Sequence, residues 1–264
     1  SLGHASTSGI ENIDYYITYP CEPKKSDNSY TEQIIRFNKL PFNYSKPEIK
    51  YEKLTIKSEL NFKDKFIIGL PQSLFKIHPS FDDILVSILL NIKNAHIILI
   101  KDKNDYVTRI FKDRWRKKSK LLIKNSTFFK RLEYNDFIYL IKKCDIMIDP
   151  LYYGSGNTFY ESMAFGTPFI SYKNQRSKVP LAGYQQMKIK NPPIAESPED
   201  YINWCQLYSN NRSFLEETRN ELIEKANKYL FNDREIYKQY YKFFTEAVKK
   251  ARRGEFLSLD WSPL

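Results

Sequence analysis

Two loop segments contain the residue types that hold a phosphate group. Residues 71–80 follow an apolar run that ends at Leu70, and they place the hydroxyl of Ser73 and the ammonium group of Lys76 on a predicted strand-to-helix loop. An ammonium group on a flexible stem neutralises a phosphate without fixed fork geometry. The alternative for Lys76 is a solvated surface lysine, because the chain has 42 Lys and Arg residues.

The second segment, residues 150–168, has the sequence PLYYGSGNTFYESMAFGTP and follows another apolar run. Gly154 and Gly156 allow the backbone to turn tightly and to come close to a ligand. Asn157 and Thr158 then begin a predicted helix whose first N–H groups face an anion. The segment is therefore a candidate phosphate cradle.

Two further groups suit a nucleoside. Glu161 lies about one turn beyond Thr158, where its carboxylate can accept hydrogen bonds from a ribose diol. The alternative is an ordinary helix start in which Thr158 and Glu161 form a capping box. Phe137 and Tyr139 lie in the predicted helix before the next strand, where an aromatic face can stack on a nucleobase; the alternative for either ring is packing in the core.

The elements that position these loops alternate between short β-rich runs and amphipathic stretches of helical length. This alternation over residues 66–172 is typical of βαβ units around a parallel sheet. The predicted strands are 66–70, 95–101, 121–124, 145–149 and 168–172, and the predicted helices between them are 80–92, 105–118 and 134–143. Because ligands of an open parallel sheet lie beyond the carboxyl ends of its strands, we expect both loops to meet over one diphosphate.

The remainder of the chain is less rich in strands. Three charged segments of helical period, at 198–209, 213–231 and 233–250, predict a helical layer in the C-terminal third. Residues 1–45 contain one predicted strand, at 13–18, and too little apolar material for a core of their own. The predicted fold class is α/β, with a Rossmann-like parallel sheet and an extra C-terminal helical layer.

Composition narrows the class of protein. With 264 residues, 42% hydrophobic and 16% aromatic, the chain can bury a substantial core, which excludes wholesale disorder. It contains no run of roughly 20 uncharged apolar residues and no secretory signal pattern, so no membrane span is expected. Its three cysteines lack metal-ligand spacing, which argues against a disulfide framework and a structural zinc site and suits a cytoplasmic protein.

Net charge adds an ambiguous signal. The formal charge of +11 favours polyanionic partners, such as nucleic acid, a membrane surface or nucleotide phosphates. The alternative is a coding sequence biased towards Lys, Ile, Asn and Tyr, because the lysines are scattered along the chain rather than gathered into one stripe. The sequence begins Ser1-Leu2-Gly3 without a methionine, and we expect it to be a piece of a longer protein.

These motifs together resemble the C-terminal half of one glycosyltransferase family. That family unites the O-linked N-acetylglucosamine transferases with the bacterial cytoplasmic protein N-glucosyltransferases. The resemblance runs from Gly3 to about Lys250, in the expected order and spacing. It rests on GHASTSG (3–9), IDYYI (13–17), TEQIIRF (31–37), FKIHPS (75–80) and GNTFYESMAFGTP (156–168).

The resemblance implies a GT-B fold, in which two Rossmann-like domains enclose a UDP-sugar held mostly by the C-terminal domain. It further implies inversion at the anomeric carbon and no required metal or other cofactor. The implied domains are a remnant of the N-terminal GT-B domain at 1–45, a connector at 46–65, a nucleotide-sugar-binding domain at 66–232, and a C-terminal helix and tail at 233–264. A missing N-terminal GT-B domain is then an expected partner.

The resemblance also assigns roles to individual residues. Lys76 matches the diphosphate-binding lysine, which acts in catalysis, and Ser73 matches a polar residue of the same loop. Asn157 and Thr158 match the pair that holds the phosphates, and Gly156 stands where the O-linked branch has a histidine.

Three more residues have counterparts in the family. Glu161 stands where the family usually has a ribose-binding aspartate, and Phe137 falls where a ring borders the uracil. His4 matches a catalytic-site histidine near the sugar in the N-glucosyltransferase branch; the alternative is an ordinary loop histidine.

The resulting hypothesis is an inverting glycosyltransferase, or its donor-binding portion. It moves a hexose or N-acetylhexosamine from a UDP-sugar to a protein or peptide side chain, Ser/Thr or Asn. One alternative is a GT-B transferase that acts on glycans or lipid-linked sugars. Another is a non-catalytic basic scaffold or nucleic-acid-binding module that uses the basic segment at 249–253.

Overall fold

The computed structural model describes residues 6–263, so His4 lies outside the described residues. Its strands are β1 (Tyr15–Thr18), β2 (Gln33–Arg36), β3 (Phe66–Gly69), β4 (Ala95–Ile100), β5 (Ser126–Phe129), β6 (Ile146–Ile148), β7 (Phe169–Tyr172) and β8 (Ile194–Ala195). Its α-helices are α1 (Ser80–Asn91), α2 (Asp105–Lys118), α3 (Lys120–Lys124), α4 (Tyr134–Lys143), α5 (Asn157–Ala164), α6 (Val179–Gln186), α7 (Pro198–Asn210), α8 (Arg212–Tyr229) and α9 (Glu235–Ala251).

The main element is a six-stranded, wholly parallel sheet with the order β5-β4-β3-β6-β7-β8. The chain winds outward from β3 to β5 on one side and from β6 to β8 on the other. The two halves meet where β3 pairs with β6, through Ile68 and Ile146. This is the doubly wound arrangement with its topological switch point between β3 and β6, where such sheets bind ligands. The predicted α/β fold class is confirmed.

Helices cover both faces of this sheet. Every residue of β3 is buried, as expected for a parallel strand with a core on each side. Ile68 joins a core formed with residues of α1, α2 and α7, whereas Ile67 joins a second core formed with residues of α4, α5 and α8. The strand between the two cores is therefore a rigid support for the loop that follows it.

A smaller unit is formed by the parallel pair β1–β2 and by α9. Ile35 and Phe37 pack with Ile236 and Phe243 of the last helix, and the rings of Phe37 and Phe243 meet edge to face. The N-terminal segment therefore shares its core with the C-terminal one, because it has too few apolar residues of its own. The assignment of 1–45 as the remnant of another domain stays a prediction.

The predicted strand at 121–124 is wrong. Those residues belong to the short helix α3, and the strand follows it as β5. The side chain of Ser119 caps the helix by accepting a hydrogen bond from the backbone N–H of Leu121, and Leu122 is buried. An apolar run this short does not distinguish a strand from a buried helical turn.

Three further elements were not predicted from the sequence. β2 is a second strand within residues 1–45, and β8 continues the sheet after residue 172, where the strand signal had faded. The third, α6, contains Gly183, at which an added Cβ would lie 2.3 Å from Cε1 of Phe159. That glycine allows close packing on α5, but it weakens the helical signal in the sequence.

The long amphipathic helices agree with their predictions. α2 and α4 have the predicted bounds of 105–118 and 134–143, and the side chain of Asn104 caps α2 by accepting a hydrogen bond from Tyr106 N. Within residues 6–263, no helix has both the length and the apolar character required to cross a membrane.

Candidate functional site

The two predicted loops leave the sheet at its switch point. The loop after β3 contains a short 3₁₀ turn, Leu74–Lys76, and leads into α1. The loop after β6 begins at Asp149 and leads into α5. Since β3 and β6 are neighbours, their carboxyl ends bring the two loops together.

Both loops line one cavity of about 1100 Å³, which we call the first cavity. Lys76 contributes from the β3 loop, and Gly156, Asn157 and Thr158 contribute from the start of α5. Residues of the N-terminal unit also line the cavity, and several of them are aromatic, including Tyr16 and Tyr30. The sequence-based expectation that the lysine and the helix start share one space agrees with this geometry.

Lys76 is half-buried rather than a solvated surface lysine. Its Nζ donates a hydrogen bond to Oε1 of Gln72, at 3.3 Å, and lies 4.7 Å from the ring centroid of Tyr153. Burial lowers the pKa of Lys76, and the negative charge of Asp149 partly opposes that effect. An ammonium group with so little solvent gains more from an arriving anion than an exposed one does.

The start of α5 faces the first cavity without a side-chain cap. Gly156 is the N-cap residue, and among residues 6–263 no side chain caps the first turn by a hydrogen bond. The capping-box alternative for Thr158 and Glu161 is therefore wrong, because Thr158 lies inside the helix rather than at its cap. An uncapped helix start presents N–H donors and the positive end of the helix dipole.

The loop before α5 is held from behind. Gly154 is buried, and a Cβ there would lie 2.2 Å from Oε1 of Gln175 and 3.1 Å from the backbone oxygen of Ser177. Ser155 N donates to both carboxylate oxygens of Asp149, each at 3.1 Å. These contacts fix where the first turn of α5 begins.

A second cavity of about 800 Å³ lies next to the first, and Gln72 lines both. Ser73 and Phe137 line the second cavity, together with Tyr134 at the start of α4. The structure therefore brings Ser73 and Phe137 together, but it separates them from the space that Lys76 and α5 share. A ligand that touches all the predicted residues would have to extend past Gln72.

Glu161 is buried and is already hydrogen-bonded. The hydroxyl of Tyr44 lies 3.4 Å from its Oε1, and Tyr134 also donates a hydrogen bond to it. Burial raises the pKa of Glu161, and the two tyrosine hydroxyls partly oppose that effect. Glu161 is absent from the described residues that line the two cavities. Its hydrogen-bond partner Tyr134 lines the second cavity.

Sequence reasoning missed both tyrosines. Tyr134 lies three residues before Phe137 on α4, so the helical period would have placed it on the same face. Tyr44 stacks on Tyr160, with ring centroids 4.6 Å apart, and no sequence signal pointed to it.

Glu32 is a further residue that sequence reasoning missed. It lines the first cavity and accepts hydrogen bonds from Thr7 Oγ1 at 2.6 Å and from Ser8 N at 2.7 Å. Burial by itself raises the pKa of Glu32, but the hydrogen bonds from Ser8 and Thr7 outweigh burial and lower it to about 2. An acidic residue directly before the apolar strand β2 is the signal that would have found it.

The chain is similar to known proteins in sequence and in structure. No model of a protein family matches the chain. In sequence, the chain is similar to a UDP-glucose:protein N-beta-glucosyltransferase of Actinobacillus pleuropneumoniae serotype 5b (strain L20), with 20% identity over 227 residues that make up 85% of this chain and 36% of that protein. The chain thus spans little more than a third of that relative.

Solved structures give a stronger similarity. An O-GlcNAc transferase of Thermobaculum terrenum, in a mutant form, superimposes with a TM-score of 0.72 and 18% identity over 86% of this chain and 43% of the other. The six-stranded parallel sheet and its helices have the fold of a Rossmann-like domain of GT-B glycosyltransferases. HepE of Anabaena, solved with UDP and glucose, gives a TM-score of 0.56 and 14% identity over 83% of this chain and 57% of the other.

The resemblance drawn from the motifs is thereby confirmed. The first cavity lies at the switch point of the sheet, and the second lies next to it, beyond the carboxyl ends of β3, β4 and β5. The roles of the individual site residues stay predictions.

Proposed function

We propose that this chain is the donor-binding portion of an inverting glycosyltransferase. The enzyme would move a hexose or an N-acetylhexosamine from a UDP-sugar to a Ser, Thr or Asn side chain of a protein. The observation that carries the proposal is that Lys76 and the uncapped start of α5 line one cavity at the switch point of the sheet. Further support comes from a relative whose name gives UDP-glucose and protein as its substrates.

The proposed chemistry stabilises the leaving group. When the bond between the anomeric carbon and the β-phosphate oxygen breaks, negative charge grows on the diphosphate. Lys76 and the N–H groups of Asn157 and Thr158 would stabilise that charge from fixed positions. Glu161 would accept the ribose hydroxyls, and Ser73 and Phe137 would border the base. As the family resemblance implies, this arrangement requires no metal.

Inversion requires the acceptor to attack the anomeric carbon from the face opposite the leaving diphosphate. The aromatic residues of the N-terminal unit that line the first cavity are the proposed approach for the acceptor. His4 is the histidine predicted to lie near the sugar. Because the chain spans only 36% and 43% of two of its relatives, the proposal includes an N-terminal GT-B domain as a partner. We also propose a cytoplasmic location, which is supported by three unpaired thiols.

Donor binding tests the first part of the proposal. Titration calorimetry of this chain with UDP, UDP-glucose and UDP-N-acetylglucosamine should give one saturable site, with ADP binding at least ~10-fold more weakly, which corresponds to ~1.4 kcal/mol. If none of the uridine nucleotides binds, the donor proposal is wrong. If an oligonucleotide binds instead, with an affinity that falls steeply with salt and that UDP does not reduce, the chain is a nucleic-acid-binding module.

Acceptor profiling tests the second part. The full-length protein is incubated with each UDP-sugar and three pools, namely peptides, free glycans and lipid-linked sugars. A mass increase of one hexose or one N-acetylhexosamine on a peptide supports protein glycosylation. Transfer only to a glycan or to a lipid-linked sugar would contradict the proposed acceptor and leave the donor site intact.

A further inference from the structure

Asp149 is a fully buried acidic residue at the end of β6, directly behind the first cavity. Its two carboxylate oxygens accept the backbone N–H of Ser155, and its Oδ2 lies 2.9 Å from Oγ of Ser171. Its own backbone oxygen accepts a 2.7 Å hydrogen bond from the hydroxyl of Tyr201. The carboxyl group thereby joins the end of the strand to the turn that precedes α5.

The hydroxyl of Ser171 makes two close contacts with acceptor oxygens, and an ionised Asp149 has no hydrogen to contribute to either of them. Oγ of Ser171 lies 2.9 Å from Oδ2 of Asp149 and 2.7 Å from Oε1 of Gln175, but a hydroxyl donates only one hydrogen. The amide group of Gln175 cannot supply the second, because its Nε2 donates to the backbone oxygen of Pro150 at 2.5 Å. A carboxylate therefore leaves one of the two contacts without a hydrogen.

A neutral Asp149 supplies the missing hydrogen, and the second lone pair of its Oδ2 remains free to accept the 3.4 Å contact from Oγ of Ser155. Its O–H then donates to Oγ of Ser171, whose own hydrogen goes to Oε1 of Gln175. The other carboxyl oxygen still accepts the backbone N–H of Ser155. The turn that leads to α5 thus keeps its anchor whether or not the proton is present, but its hydrogen bonds are complete only with the proton.

The charge state of Asp149 also bears on Lys76. Burial raises the pKa of Asp149 to about 7, against the hydrogen bonds from Ser155 and Ser171 and the charge of Lys76. An ionised Asp149 is a buried counter-charge of the Lys76 ammonium group. When a diphosphate arrives, it takes over that function, and an ionised Asp149 then only repels it.

We propose that Asp149 is a positioning residue for the donor diphosphate, which anchors the turn before α5 through Ser155 and takes up one proton from solvent when the diphosphate docks on Lys76. The proton adds to a carboxylate oxygen, and no other covalent bond forms or breaks. The inference rests on the proposed function, because it requires a nucleotide-sugar diphosphate in the first cavity.

Proton uptake makes donor affinity depend on pH. Binding that favours the protonated form is stronger at low pH, so the affinity for a UDP-sugar should be ~5- to 10-fold weaker at pH 8 than at pH 6. UDP-sugars are suitable probes, since their bridging diphosphate lacks the phosphomonoester ionisation near pH 6 that free UDP has.

Few other charged or titratable groups bear on Asp149. From the β3 loop there is Lys76, from α6 Tyr184 and from α7 Tyr201. Burial holds the pKa of both tyrosines well above its usual value, so they stay neutral between pH 6 and 8.5. Among the described residues, the rival sources of proton uptake are Lys76, because burial lowers its pKa, and the imidazole of His78, which also lines the first cavity.

The test is titration calorimetry of this chain with UDP-glucose and UDP-N-acetylglucosamine at pH 7.5, in two buffers of different protonation enthalpy. The wild type should take up ~0.3 to 1 proton per bound ligand, and Asp149→Asn should take up fewer than ~0.1 and lose the pH dependence of affinity. If Lys76 were the titrating group, Asp149→Asn would keep or increase the uptake, because it removes the charge that raises the pKa of Lys76.

A second variant covers the case in which Asp149→Asn does not fold. Ser171→Ala removes the hydroxyl that bonds Oδ2 of Asp149, so the pH at which donor affinity changes should move away from its wild-type value; a profile that stays in place would show that Asp149 is not the titrating group. Binding without uptake by the wild type, or uptake that persists in Asp149→Asn, overturns this inference and leaves the donor site standing. If neither UDP-sugar binds, both the donor site and the inference fail.

Discussion

The two cavities of the site differ in how ready their polar groups are for a ligand. In the first cavity, Lys76 and the start of α5 face open space, and the contacts that fix them lie behind, at Asp149 and Gln175. Beside the second cavity, the carboxylate of Glu161 is already bonded to tyrosine hydroxyls. The polar groups of the first cavity are already placed to bind an anion. Beside the second cavity, Glu161 must exchange a tyrosine hydroxyl for a hydroxyl of the ligand.

This difference follows from what each group costs when it lacks a partner. A helix start and an ammonium group keep some contact with solvent, so they remain unbonded to a phosphate at little cost in free energy. A buried carboxylate without hydrogen bonds is much more costly, and two tyrosines therefore cover it. We expect binding energy to come chiefly from the diphosphate and selectivity for the nucleoside to come from smaller contributions.

The largest expected effect is on the phosphate side. Lys76→Ala removes the ammonium group from the first cavity, and in the full-length protein it should lower the transfer rate by roughly 100- to 1,000-fold, by analogy with the loss of an oxyanion-hole donor. The matched control is Lys112→Ala, because Lys112 is another partly buried lysine, 4.5 Å from the ring of Phe128 and outside both cavities. Equal rates for Lys76→Ala and wild type would contradict the comparison.

The buried acid behind the first cavity should make stability depend on pH. The pKa of Asp149 is raised from 3.8 to about 7, so the folded state holds a proton that the unfolded state has lost, and stability falls as pH rises through that window. Between pH 5 and pH 8, the wild type should lose ~2–3 kcal/mol more of its unfolding free energy than Asp149→Asn does. Urea unfolding at the two pH values measures it, and parallel changes in both proteins would refute the assignment.

On the nucleoside side, Phe137→Ala should weaken UDP binding by ~10-fold, because stacking of a base on an aromatic ring contributes about 1–3 kcal/mol. The affinity for inorganic pyrophosphate, which has no base, should not change. Calorimetry with both ligands separates the two cavities. A loss of pyrophosphate affinity in this variant would show that the cavities do not act separately.

The smallest effect is expected at Glu161. Glu161→Gln keeps an acceptor oxygen for a ribose hydroxyl but removes the charge, and the tyrosines already satisfy much of that group, so UDP affinity should fall by only ~3- to 5-fold. The paired variant Tyr134→Phe removes one of the two tyrosine hydroxyls that bond Glu161. If Tyr134→Phe binds UDP more tightly than the wild type does, the tyrosine hydroxyl competes with the ribose. If Glu161→Gln lowers UDP affinity as much as Lys76→Ala does, the two cavities do not differ as described.

Sequence reasoning was most successful where a pattern is repeated or chemically specific. The bounds of α2 and α4 follow from long apolar stripes, and the neighbouring positions of the two loops follow from the geometry of parallel strands. Lys76 and Asn157 were predicted to line one space for the same reason, and they do.

Features that depend on tertiary contacts were not predicted from the sequence. The strand predicted at 121–124 is helical because Ser119 caps it, and residues 126–129 pair with β4 instead. Tyr44 reaches Glu161 from 117 positions away, and Ser171 meets Asp149 across two strands. Such contacts depend on how elements pack, which no local pattern records.

The proposed site requires that Lys76 and the start of α5 hold the same diphosphate. Calorimetry with UDP and with uridine on the wild type, Lys76→Ala and Thr158→Val is the decisive measurement. Both variants should lose at least ~10-fold in UDP affinity, about 1.4 kcal/mol, and keep the wild-type affinity for uridine. If either variant binds UDP as the wild type does, or loses uridine equally, the two groups do not share a diphosphate.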